Sequence, residues 1–142
     1  MTTGITILLV LIFLALSGIH FYWALGNSWG FDAALPQNEK GESVLHPTRI
    51  QSAIVGIGLL IFGAHFLLKK EAICIVFPTW IESGVTWIIA GIFFLRAVGD
   101  FKYVGFLKRI TGTKFARRDT RFYSPLCLII FILIICLEIS TR

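Results

Sequence analysis

The stretch ITILLVLIFLALSGIHFYWAL, residues 5–25, contains no charged side chain. It is long enough for a helix to cross the hydrocarbon of a bilayer, which takes ~20 residues. A secretory signal peptide would begin with a basic segment and hold an apolar run of only about 7–15 residues. The stretch has neither feature, so it reads as the first of several membrane spans.

Three more apolar runs follow, at about 50–68, 78–98 and 123–139. Lys69 and Lys70 close the second. Pro78 opens the third and Pro125 lies at the start of the fourth, in keeping with the preference for proline in a first helical turn. In the second span Ser52 and Gly56 are four apart, a spacing of small residues that allows close helix contact. There is no internal repeat or low-complexity stretch. The expected architecture is a single integral membrane domain over residues 1–142. It is all-α, a four-helix transmembrane bundle.

Composition agrees with this reading. Charged residues make up 15% of the 142 and apolar ones 56%, where a soluble domain carries about 25% charged residues. The mean hydropathy of +0.83 is too high for a water-facing surface. A disordered chain, a disulfide-stapled secreted domain and a nucleic-acid-binding module are all excluded as the main reading. Cys127 and Cys136 lie on one predicted helix, roughly 13 Å apart, which is too far for a bridge. A Cys74–Cys136 disulfide stays open, since both cysteines fall near the same membrane face. No Cys or His pair has metal-ligand spacing, and no cofactor is expected.

Charge gives the orientation. The connections 26–49 and 99–122 share one side and hold nine bases, whereas the other side has Lys69, Lys70 and Arg142. The positive-inside rule places both long connections in the cytoplasm and both termini outside. The whole excess, +5, resides in 99–122, whose bases are Lys102, Lys108, Arg109, Lys114, Arg117, Arg118 and Arg121. Besides marking topology, such a cluster suits anionic lipid headgroups, at ~1 kcal/mol per base near the leaflet. Tyr103, Phe106, Leu107 and Ile110 follow helical spacing, with Lys102, Lys108 and Arg109 opposite. A short basic amphipathic helix in the membrane interface is therefore expected at Lys102–Ile110, between the third and fourth spans. Phe101 breaks the pattern.

Two polar levels stand out. At the cytoplasmic end, His20 and Trp23 share a helix face, as do Arg96 and Asp100, while Asp119 and Tyr123 precede the fourth span. Ionisable groups at a membrane boundary usually turn inward to a partner, so these six are candidates for one polar cluster, a pocket under the two connections. The alternative is separate local roles, with Trp23 an interface anchor and Arg96 snorkelling or paired with Asp100. At the outer end His65, Glu82 and Glu138 reach similar depths. They are candidates for a proton or cation relay, or for a satisfied His–Glu pair. Walker, G-x-G-x-x-G, H-E-x-x-H and G-x-S-x-G motifs are absent.

His20-Phe-Tyr-Trp-Ala-Leu-Gly26, Leu35-Pro36, Arg96-Ala-Val-Gly-Asp-Phe-Lys-Tyr-Val-Gly105, Thr113-Lys-Phe-Ala116, Asp119-Thr120 and Tyr123-Ser-Pro-Leu126 together resemble the bacterial domain-of-unknown-function 3995 family. The resemblance runs from about His20 into the fourth span, and Arg96–Leu126 is its specific part. It implies a small multi-pass protein of the bacterial cell membrane and supplies no reaction and no catalytic residue. The leading functional expectation is binding of lipid, or of a membrane-protein partner or second copy, through the basic cytoplasmic surface. A small transporter or channel subunit, and an enzyme acting on a lipid-soluble substrate, are the alternatives.

Overall fold

Helix α1 (Thr2–Ala24) is followed by a short α2 (Phe31–Ala34), and α3 runs over Arg49–Glu71. Then come α4 (Thr79–Val98), α5 (Lys114–Arg118), a π-helical turn at Asp119–Tyr123 and α6 (Ser124–Ser140). This computed structural model describes residues 2–71 and 78–141, excluding the side chains of residues 70, 71 and 79. Cys74, and with it the Cys74–Cys136 pairing, lies outside the described residues. Four helices are long and apolar enough to cross a membrane, the last running unbroken over Lys114–Ser140. Among the described residues there is no strand, only an isolated bridge between Gln37 and Ser43.

The buried residues of α3 are Ser52, Gly56, Leu59, Gly63 and Phe66. Their alternating steps of four and three are those of a coiled-coil seam. This seam packs along the length of α1. The small residues expected to permit close contact do so: Phe21 lies over Gly56, the Cβ of Phe13 lies over Gly63, and Ser17 donates to the Gly56 carbonyl at 2.7 Å. Helix α4 pairs with α6, and α1 also touches α6, so the bundle is two helix pairs joined through α1 and α6. Leu9, Phe13, Ile89, Ile130 and Ile134 fill the centre.

The outward faces are as apolar as the core. Ile7, Leu8, Leu11 and Leu14 of α1 are exposed, as are Ile54, Ile57 and Ile61 of α3. A soluble bundle would put charge there, whereas a bundle surrounded by lipid needs none.

The fourth helix begins nine residues earlier than the apolar run suggests, at Lys114. Thr113 caps it, its hydroxyl accepting from the Ala116 N–H at 3.0 Å. Pro125 cannot donate to the carbonyl four residues back, and its ring crowds that carbonyl. The turn before it widens, with the Ser124 N–H donating to the Asp119 carbonyl. Asp119 and Ser124 are five apart yet both fully buried, which regular 3.6-residue turns would not allow.

Candidate functional site

The connections 26–49 and 99–122 meet at one end of the bundle. Tyr123 donates to the Ala33 carbonyl at 3.3 Å, and the Phe115 N–H donates to Gln37 Oε1 at 3.3 Å. The second connection is where sequence and structure diverge most. Residues 102–110 are not helical, and the short basic helix between the third and fourth spans is instead α5, Lys114–Arg118.

The cause is local competition for backbone donors. One oxygen of Asp100 accepts from the N–H groups of Lys102, Tyr103 and Val104 at 2.7–3.0 Å, offering them an alternative to helix. Phe101, which breaks the apolar pattern, sits at φ 62, outside the helical region. Gly99 and Gly105 then bring two backbone segments into contact, because a Cβ on Gly99 would lie 1.7 Å from the Val104 oxygen. The chain doubles back so that Phe106 N–H and Leu107 N–H donate to the Ala97 and Val98 carbonyls at 2.9 and 3.3 Å. Those are carbonyls that the end of α4 would otherwise leave without partners.

Partial burial pushes the Asp100 carboxyl up, and its N–H donors outweigh that effect, so it titrates below its ordinary range. A lowered folded-state pKa means that the contribution is present above the ordinary carboxylate pKa. It is lost as pH falls through the lowered value. Asp100→Ala is expected to cost about 1 kcal/mol of local stability at neutral pH. Faster amide exchange confined to residues 102–104 would show it, and unchanged protection would refute it.

Behind this loop lies a buried carboxylate with two cations. Asp119, wholly buried, accepts from Arg96 Nη2 at 3.0 Å, Lys108 Nζ at 3.0 Å and the Gly105 N–H at 2.8 Å. Lys108 also donates to the Gly105 carbonyl at 2.8 Å and to Thr120 Oγ1 at 2.6 Å. The amphipathic pattern puts Lys108 on an outward basic face; the structure buries it, with a side-chain exposure of 1%. The other six bases of the connection are exposed. Asp100 belongs to its own turn and is not paired with Arg96.

A cavity of about 930 Å³ opens beside this node. His20, Trp23, Arg96 and Tyr123 all line it, so four of the six predicted cluster residues reach one space; Asp119 stands behind Arg96. Leu59, Phe62, Ile92 and Phe93 supply apolar wall, and Ser28, Trp29 and Asp32 of the first connection complete the lining. His20 Nδ1 lies 2.8 Å from the Leu16 carbonyl, which fixes the proton of the neutral ring on Nδ1 and leaves Nε2 as acceptor. The His20 ring packs edge-on against Trp23, whose Nε1–H donates to the Trp29 carbonyl at 2.9 Å. Among the described residues, Arg96 Nη1 and Ser124 Oγ are buried without a hydrogen-bond partner. The sequence pointed to a polar pocket at this level but not to its apolar walls, which come from four helices and a loop.

The end of the bundle away from the loops carries a separate network. Buried Glu138 forms an ion pair with Lys69 and accepts from Ser83 at 2.6 Å. The Thr86 hydroxyl donates to the Glu82 carbonyl at 2.9 Å, so its oxygen accepts from His65 Nε2, also at 2.9 Å. His65 is thus bonded to Thr86 rather than to a carboxylate, and the partner of Glu138 is Lys69, which the sequence marked only as a span boundary. Stacked and edge-on rings of Phe13, Phe62, Phe66 and Phe93 lie between this network and the cavity. Among the described residues no polar route joins the two levels along one chain.

An all-helical bundle with four membrane-length apolar helices and a polar, loop-covered end belongs to the class of small proteins compatible with multi-pass membrane insertion. Within that class, the family described as protein of unknown function, DUF3995, matches residues 13–134, and the chain belongs to it. Comparison with curated proteins and with solved structures gives no match.

Proposed function

We propose that this is a lipid-associated protein of the bacterial cell membrane that holds anionic headgroups at its loop end. The observation that carries the reading is the surface of the second connection. Lys102, Arg109, Lys114, Arg117, Arg118 and Arg121 are exposed there, interleaved with exposed Phe101, Phe106, Leu107 and Phe122. Bases that neutralise phosphate beside rings that enter the acyl boundary are what an anionic leaflet surface attracts. The bulk of this charge argues for both long connections being cytoplasmic and both termini outside.

Hydrogen exchange in nanodiscs tests the lipid reading. Protection of residues 101–110 should rise when phosphatidylglycerol is added to phosphatidylcholine, and should fall back in high salt. Replacing Lys102, Arg109, Lys114, Arg117 and Arg121 by Gln should erase the difference; equal protection in both lipids would overturn the reading. Orientation is checked separately, with Cys74, Cys127 and Cys136 replaced by Ser. Single cysteines at Glu39 and Arg117 should escape an impermeant thiol reagent in intact cells, while one at Thr3 should react. The reverse pattern would invert the topology.

A further inference from the structure

The cavity beside Arg96 has the size, lining and access of a ligand site that the surface bases do not account for. Its volume of about 930 Å³ falls within the ~300–1,000 Å³ of pockets that enclose one drug-sized molecule. A two-chain phospholipid exceeds that, whereas a single hydrocarbon chain with a small head does not.

The lining is polarised along the bundle. Phe62 and Phe93 form the inner end, against the phenylalanine layer, and Arg96, Arg118 and Tyr123 stand at the loop end. The charges there are unequally matched. Arg118 is exposed and has no hydrogen-bond or ion-pair partner among the described residues. Arg96 shares Asp119 with Lys108. Its Nη1 has no hydrogen-bond partner among the described residues but is itself buried, so the cavity meets only the exposed third of this side chain. Asp32 is the one acid in the lining. Guanidinium groups with spare donors select carboxylate or phosphate oxygens.

Access is sideways. Helices α3 and α4 are not among the closely packed helix pairs; the Phe62–Phe93 ring contact and the His65–Thr86 bond link them at the inner end of the cavity and beyond it. Val55 and Ile92, one on each helix, line the cavity and are each 46% exposed. Gly58, also in the lining, has nothing within 4 Å of where a Cβ would be. These residues mark a lateral gap between α3 and α4, in addition to the loop-lined end of the cavity.

We propose that this cavity binds a single-chain amphiphile with a compact anionic head, drawn from the bilayer between α3 and α4. The head's oxygens meet Arg96 and Arg118, and the chain lies along Leu59, Phe62, Ile92 and Phe93. The site shares Arg118 with the surface that holds leaflet headgroups, but its cavity is separate, so either can fail without the other.

The test uses Trp23, which lines the cavity, as the only tryptophan after Trp29, Trp80 and Trp87 are changed to Phe. The full chain in phosphatidylcholine nanodiscs is titrated with 9,10-dibromostearate, a contact quencher of tryptophan. Quenching should saturate, and 9,10-dibromostearyl alcohol, lacking the anionic head, should bind at least about tenfold more weakly. Arg118→Gln should weaken the acid by roughly tenfold. Gly58→Leu, which sets a branched side chain in the lining beside Leu59 and Phe62 and leaves every surface base in place, should abolish the saturable phase. Inorganic phosphate should not displace the acid. Quenching that grows without saturation, that is equal for acid and alcohol, that persists in Gly58→Leu, or that phosphate reverses would each overturn the proposal. Native mass spectrometry of the wild-type chain with stearate guards against a misfolded reporter. One retained stearate, lost in Gly58→Leu, is the supporting result, and none retained is the opposing one.

Discussion

Asp119→Asn is expected to destabilise the loop end of the bundle by about 3–5 kcal/mol, the usual consequence of removing one partner from a buried ion pair. Asp119 is the only acceptor within reach that carries charge for both Arg96 and Lys108, and it also holds the Gly105 N–H. An amide in its place leaves the Lys108 ammonium charged among residues that exclude water. Arg96, about one-third exposed, can relax toward solvent, so Lys108 accounts for most of the loss. Adding Lys108→Met to Asp119→Asn should therefore recover much of the stability, because the stranded charge is gone. Thermal unfolding in mild detergent measures both. A single variant within 1 kcal/mol of wild type would show that the node does not hold the loop.

Gly99→Ala should be nearly as damaging, for a steric reason. At φ 93 and ψ −173 the residue lies in a region that essentially only glycine occupies, with a strain of order 1–3 kcal/mol for any other residue. The added Cβ would also stand 1.7 Å from the Val104 oxygen, so the doubled-back loop cannot close over the end of α4. Loss of the Phe106 and Leu107 bonds would follow, and the combined cost should exceed ~3 kcal/mol. Gly112→Ala is the matched control, since nothing lies within 4 Å of its Cβ position. It should stay within about 0.5 kcal/mol of wild type. Equal effects at the two glycines would refute the close-approach argument.

How much of this was readable from residues alone depended on the range of the interaction. The four spans are written in the absence of charge over 5–25 and the runs after it, and the α1–α3 seam is signalled by Ser52 and Gly56. The polar level near Arg96 was legible because boundary charges turn inward, although helix spacing pointed to Asp100 as readily as to Asp119. Position 100 is instead captured by the three N–H groups that follow it. Lys108 misled for the same reason. The i, i+3, i+4, i+7 pattern at Tyr103–Ile110 describes a face only if the segment is helical, and Asp100 with two close-packed glycines forbids that. Lys69 and Glu138 are 69 residues apart, so no local pattern ties them together. The polar end of the cavity was foreseen from the boundary charges, but its apolar extent was not, because it is a space left between four helices.

The bond between Arg96 and Asp119 spans 23 residues of chain, and it has a consequence in time as well as in space. At ~5–20 residues per second of synthesis, Arg96 waits roughly one to five seconds for its counter-ion to be made. Until then α4 ends in a lone cation with free carbonyls, poorly suited to settle against lipid. A ribosome that pauses between these codons would hold the nascent chain in that state, and α4 and α6 would complete their insertion as one late hairpin rather than in turn.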